Sequence, residues 1–173
     1  QLGIRSVTLA DNGVVSLNLP ISDQLVGALA TRSTHPKFLH LFAEFCQRVF
    51  SSSPAVDNPL KYRTRSEVLS ILRRYECTPL LQETVSCAYN RGRPNVQPHC
   101  GVCSQCVDRR FAAAFSALEE HDLPERYGVD IFTQQLEEGF PRTVTESYVR
   151  FALDIARITE DDLFEDYPQL YDY

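Results

Sequence analysis

Four cysteines, Cys87, Cys100, Cys103 and Cys106, follow one another as Cys-x12-Cys-x2-Cys-x2-Cys. A two-residue spacer lets neighbouring thiolates turn toward one ion, and tetrahedral zinc takes four such soft ligands at Zn–S distances of about 2.3 Å. Gly101, inside the first short spacer, permits the tight backbone turn this needs. The spacing therefore predicts a zinc-binding region over residues 87–106. Two other chemistries use the same residue type. Cys-x2-Cys-x2-Cys also occurs in iron–sulfur ferredoxins, although no second cluster motif and no proline after a distal cysteine accompany it here. Disulfide frameworks belong to smaller, more cysteine-dense secreted chains, and the first residues do not read as a signal peptide. His99, beside Cys100, is an alternative fourth ligand in place of Cys87.

The charge around these ligands is uneven. The whole chain of 173 residues carries a net charge of −6. Much of that sits in an acidic tail over 160–173, where Glu160, Asp161, Asp162, Glu165, Asp166 and Asp172 meet no lysine or arginine. Between residues 61 and 110, Lys61, Arg63, Arg65, Arg73, Arg74, Arg91, Arg93, Arg109 and Arg110 face only Glu67, Glu76, Glu83 and Asp108. Such a surplus beside a metal knuckle favours an anionic partner, with phosphate the first candidate. A solvated face of exposed arginines is the plainer alternative.

A hydrophobic content of 43% in 173 residues suits one soluble domain. No apolar run approaches the length needed to span a bilayer, so no membrane partner is expected. Thiolates kept for a metal fit a reducing compartment, and cytoplasm is the expected location. The chain holds no methionine and begins with Gln1, which reads as a piece of a longer protein or a processed form.

The elements that must position the cysteines read as mostly helical. Val7–Leu9 and Val14–Leu19 suggest two short strands joined by a turn at Asp11-Asn12-Gly13, with Pro20 closing the second. Pro36 starts a helix, with Phe38, Leu41, Phe42, Phe45, Cys46 and Val49 on one face. Cys46 lies in that stripe and reads as core filler. Thr64-Arg65-Ser66-Glu67 is a capping-box pattern that opens a helix to about Arg74, with Val68, Leu69, Ile71 and Leu72 inward. Residues 88–99 read as an exposed loop. A helix from about Ser104 carries Val107, Phe111, Ala114, Phe115 and Leu118 inward. Thr143-Val144-Thr145-Glu146 caps a last one, with Tyr148, Val149, Ala152, Ile155 and Ala156 on its buried face.

Three segments in this order resemble the C-terminal half of the 7-cyano-7-deazaguanine (preQ0) synthases, members of the PP-loop ATP pyrophosphatases. They are Asn58-Pro59-Leu60 leading to Thr64-Arg65-Ser66-Glu67-Val68, then Thr84-Val85-Ser86-Cys87, then Cys100-Gly101-Val102-Cys103-x2-Cys106-x2-Arg109. A fainter echo is the proline-led helix at Thr34-His35-Pro36-Lys37-Phe38-Leu39. The resemblance implies an α/β, Rossmann-like PP-loop domain, of which residues 1–173 form the C-terminal portion. Taken by itself the stretch reads as mostly α-helical with a small sheet and a zinc knuckle. The resemblance also implies zinc and ATP as cofactors, a small carboxylate as substrate, and a homodimer as a partner state. In that family ATP activates a carboxylate as an acyl-adenylate, ammonia gives the amide, and a second adenylation with loss of water gives the nitrile.

Carried onto this sequence, the resemblance makes Cys87, Cys100, Cys103 and Cys106 structural zinc ligands, since four thiolates leave no open coordination position. Arg65 stands where the family has lysine, in the first turn of a helix whose free N–H groups favour an anion, and becomes a phosphate contact. Arg109, one turn beyond Cys106, either braces the thiolates or reaches the ligand. No catalytic residue is assigned. The sequence departs from the family at Ser33-Thr34-His35, where Asp-Cys-Arg is usual, and it has no Ser-Gly-Gly-x-Asp-Ser phosphate loop; none of its seven glycines are adjacent. Two other readings stay open. One is a paralogue acting on another carboxylate or on a protein, for example in phage defence. The other is a non-catalytic zinc-stapled module that holds nucleic acid by its basic patch.

Overall fold

The computed structural model describes residues 5–17, 33–50, 55–89, 97–167 and 170. The chain divides into two compact units. Gln1–Thr64 with Arg157–Tyr173 make the first, and Arg65–Ala156 make the second.

In the first unit, strands β1 (Ser6–Thr8) and β2 (Ala55–Asp57) pair in parallel, with Val7 opposite Val56. Helix α1 (Gly13–Leu17) and helix α2 (Pro36–Phe50) lie between them in sequence. The expected hairpin of Val7–Leu9 with Val14–Leu19 does not form, and the stretch from Gly13 to Leu17 is helical. Residues 18–20 lie outside the described residues. The reason is the side chain of Asn12, whose Oδ1 accepts the Val15 N–H at 3.1 Å and so caps a helix. The Asp-Asn-Gly triplet starts α1 and closes no turn between strands. Gly13 is required there, because a Cβ would lie 2.4 Å from the Lys61 carbonyl oxygen. Buried Asn58 ties the end of β2 to the same place, donating to Asp11 O at 2.8 Å and Ser16 Oγ at 3.1 Å.

Pro36 begins α2 as expected, and His35 Nδ1 accepts the Lys37 N–H at 3.2 Å in front of it. Cys46 is buried, as core filler should be. The rest of the expected buried stripe is not: Phe38, Leu41, Phe42, Phe45 and Val49 are all exposed. Helix α7 (Glu160–Asp166) occupies the acidic tail. Thr159 Oγ1 accepts the Asp162 N–H at 3.2 Å, and the acids gather in the first turn, where the helix dipole favours negative charge.

The second unit is built on helix α5 (Ser104–Phe115). Helix α3 (Arg65–Arg74) packs across it, and short helix α4 (Leu80–Glu83) completes the contact. Leu69, Leu81, Ala112, Ala113 and Leu118 form the apolar core, with Leu72 at its edge. Two alanines on α5 let α3 approach closely. Helix α6 (Phe140–Ile155) meets the other side of α5, where the Phe111 and Tyr148 rings stack at 5.8 Å and the Tyr148 hydroxyl donates to Asp108. It starts three residues before the expected cap at Thr143, because Gly139 at φ +96° and Pro141 set the entry. Val149, Ala152 and Ala156 of its expected buried face are exposed, while Tyr148 and Ile155 are half-buried. Phe115, expected inside, is 86% exposed.

The end of α5 explains that last difference. Ala117 takes the left-handed conformation, at φ +50°, and Leu118 N–H reaches back to the Ala113 carbonyl at 2.9 Å. The chain reverses, so Leu118 turns into the core and Phe115 is left outside. Arg73, from the last turn of α3, donates to the carbonyls of Ser116 and Ala117 and so satisfies the end of α5. Left-handed backbone suits glycine better than alanine, and Ala117→Gly should raise stability by about 1 kcal/mol. Urea unfolding of the two forms measures this, and a loss would show that the reversal carries no strain.

Candidate metal centre

Cys87, Cys100, Cys103 and Cys106 come together, with all four Sγ atoms within 4.8 Å of one another. They lie close enough to hold one metal ion. A tetrahedron of 2.3 Å bonds sets its sulfurs about 3.8 Å apart. The Cys100 and Cys106 Sγ atoms stand at 3.9 Å. All six cysteines of the chain are free thiols, which leaves no disulfide framework.

Each ligand has a local reason for its place. Cys87 ends the extended stretch after α4, and its Sγ accepts the Cys100 N–H at 3.3 Å. Cys100 follows a single parallel bridge between His99 and Tyr127, in which Gly128 N–H donates to the His99 carbonyl at 2.8 Å. Gly101 then takes φ +84°, and a Cβ there would lie 1.7 Å from the Val129 carbonyl oxygen. Only glycine fits this corner. Cys103 is the residue before α5, and its carbonyl accepts the N–H groups of Cys106 and Val107, both at 2.9 Å. Cys106 sits in the first helical turn, fully buried.

The electrostatics of the cluster suit a cation. Backbone N–H groups of Val102 and Cys103 face the Cys100 sulfur, those of Ala88 and Cys106 face Cys103, and that of Gly101 faces Cys106. Such dipoles favour thiolates without adding a charge. The hydrogen bond from Cys106 is the main cause that holds the Cys103 thiol down to about 5. The same bond, with burial, pushes Cys106 far up, and burial raises Cys100. A metal that enters must displace the protons that the sulfurs hold. An open cleft of about 340 Å³, lined by Tyr89, Cys100, Val102 and Phe140, flanks the half-buried side.

His99 stands outside the group of four sulfurs. Its ring stacks on Tyr127 at 4.7 Å, and neither ring nitrogen has a partner among the described residues. Burial, helped by the nearby Arg109, lowers its pKa to about 4 and keeps it neutral.

Arg109 is the brace of the cluster. It is buried, and every guanidinium nitrogen is engaged. Nε pairs with Asp122 Oδ1 at 2.7 Å, and Nη2 donates to the Leu81 carbonyl at 2.7 Å. Nη1 donates to Thr84 Oγ1 at 2.7 Å and Ser86 Oγ at 3.5 Å. The arginine therefore clamps the extended stretch that delivers Cys87 to the helix that delivers Cys106, with each guanidinium nitrogen donating within the chain. Arg65 is likewise committed within the chain. Its Nε pairs with Asp108 at 2.8 Å, and its other nitrogens donate to Gln105 O at 3.0 Å and Gln105 Oε1 at 2.7 Å. All of these acceptors lie on α5.

Part of the basic surplus is therefore internal, at Arg65, Arg109 and Arg110, while Arg63, Arg73 and Arg74 are exposed. Arg110 pairs with Asp130 at 2.7 Å and with Asp122 at 3.2 Å, and its guanidinium lies over the Tyr127 and Phe132 rings. Arg73 caps α5, and Arg74 lies over the Tyr75 ring. Arg91 and Arg93 lie outside the described residues.

The supporting residues that cysteine spacing does not reveal are Asp122, Tyr127 and Asp130. The signal for them is the Arg109-Arg110 pair on a helix that buries most of its surface, since two buried guanidinium groups require buried acids. Asp122 accepts from Arg109, from Arg110 and from the Tyr127 hydroxyl at 2.8 Å, all in the interior. Asp122→Ala would leave both arginines under-compensated and should cost about 3–5 kcal/mol. Urea unfolding checks this, and a loss under about 1 kcal/mol would show that water replaces the carboxylate.

Comparison of the chain with protein-family models, with curated proteins and with solved structures finds no match.

Proposed function

We propose that the four cysteines form a structural zinc centre in the C-terminal portion of an ATP-dependent ligase similar to the 7-cyano-7-deazaguanine synthases. The observation that carries the metal assignment is the convergence of four sulfurs, and of no other donor among the described residues, within 4.8 Å. Four thiolates saturate zinc, so the ion has no site for water or substrate and acts as a staple. It ties the stretch after α4, the His99–Tyr127 bridge and the start of α5 into one unit.

The ligase reading is supported by the order of motifs, above all Ser86-Cys87 followed by Cys-Gly-x-Cys-x2-Cys and Arg109. The clamp made by Arg109 gives that arginine a reason to follow the knuckle at a fixed distance. In this reading Arg65 and Arg109 are positioning residues that set α3 and the Cys87 segment against α5. Adenylation would fall to a phosphate loop that the 173 residues do not contain.

Two measurements separate the metal from the reaction. Elemental analysis of the purified, colourless chain should give one zinc per chain. Half-buried Cys77 should be the thiol that reacts with a disulfide reagent before chelation, with the four ligand thiols reacting after it and buried Cys46 protected throughout. Iron in the protein, or visible absorption, would sink the zinc assignment. The protein encoded by the whole gene, given ATP, ammonia and a deazapurine carboxylate, should release pyrophosphate and form the nitrile. Zinc without any carboxylate-dependent pyrophosphate release would leave the staple standing and remove the ligase.

A further inference from the structure

The four sulfurs of the cluster are not equally placed. Cys103 and Cys106 are 3% and 0% exposed and pack with Tyr127. Cys87 and Cys100 are only half-buried. On that side lies the open cleft, where Cys100 forms part of the wall together with Tyr89, Val102 and Phe140, so a small solute in water can reach it. The two half-buried residues are also in direct contact. Cys87 Sγ accepts the Cys100 N–H at 3.3 Å, and Cys87 is a hydrogen-bond partner of the Cys100 sulfur as well. Cys46 and Cys77 lie outside the group and cannot substitute for either.

We infer that Cys87 and Cys100 are a peroxide-sensitive pair whose oxidation to a disulfide discharges the metal. The inference rests on the zinc centre proposed above. A thiolate, and not a thiol, is the form that attacks peroxide, and metal ligation keeps cysteines in that form. The Cys100 sulfur, in the cleft wall, attacks one oxygen of hydrogen peroxide. The O–O bond breaks, leaving a sulfenic acid on Cys100 and a hydroxide. The Cys87 thiolate then attacks the Cys100 sulfur, the S–S bond forms and a second hydroxide leaves. The two sulfurs give up two electrons, peroxide takes them, and two protons from solvent turn the hydroxides into water. With two thiolates left, the site no longer holds zinc. Cys103 and Cys106 are the competing pair, two residues apart at a helix start, but burial keeps peroxide from them. The change stays local. Arg109 holds Asp122, Leu81 and Thr84 through bonds that involve no sulfur, so α5 keeps its place and reduction lets the metal return.

Titration of the purified 173-residue chain with hydrogen peroxide, with released zinc read by a chromogenic chelator, tests this. One zinc per chain should appear in step with one disulfide, and peptide mapping should place that disulfide between Cys87 and Cys100. Dithiothreitol with added zinc should restore the starting metal content. Phe140→Ala removes an exposed wall of the cleft and no ligand, so it should start with the same zinc and release it faster. Zinc retained while Cys77 oxidises overturns the inference and leaves the zinc centre standing. A disulfide between Cys103 and Cys106, or a release that dithiothreitol and zinc do not reverse, overturns it as well. A release rate indifferent to Phe140→Ala removes the route through the cleft and with it the choice of Cys100. A chain that carries no zinc at the outset overturns the metal centre itself and this pair with it.

Discussion

A single carboxylate, Asp122, holds the second unit together around the cysteines. It is wholly buried and is met by two guanidinium groups and one phenol. Removing three charges from water is costly, and the arrangement persists because each donor is directed at an acceptor and the groups compensate one another. Arg109 passes the constraint to Leu81, Thr84 and Ser86, and so to Cys87. Tyr127 passes it to the bridge that carries His99 and Cys100. The knuckle geometry is thus fixed from behind by polar contacts, and less by apolar packing, which is concentrated farther along α5.

This division of labour suits a metal staple. Four sulfurs brought within bonding reach repel one another once they lose their protons, and the chain answers with backbone N–H groups. The same arrangement accounts for part of the positive charge near the metal knuckle. Arg65, Arg73, Arg109 and Arg110 all point at carbonyls or carboxylates of the chain itself.

Local rules were sufficient where the cause of a structure is local. The helix from Pro36, the helix over Arg65–Arg74, the start of α5 at Ser104 and the convergence of the four cysteines all follow from spacing, capping and the fixed φ of proline. Three differences arose where spacing alone does not decide the outcome. Asn12 could open a turn or cap a helix, and the partner of β1 lies beyond α2 in sequence. Phe115 matches the inward period of α5, but the left-handed turn at Ala117 redirects the chain before that position is covered. Asp122 and Asp130 follow no motif, because a carboxylate that answers a buried arginine is chosen by proximity in space. The sequence clue was the unexplained arginine pair.

Helix α5 gathers nearly all of these dependencies on one short rod. Cys103 leads into it, Cys106 lies in its first turn, and Asp108, Arg109, Arg110 and Phe111 all meet partners beyond the helix. Adding or deleting one residue in a helix turns everything beyond it by about 100°. Between Cys106 and Ala113 such a change would swing every downstream partner off its target while the sulfurs stayed in place. In this stretch the chain can exchange one side chain for another but cannot change its length, so homologues should differ here by substitution and carry their insertions elsewhere.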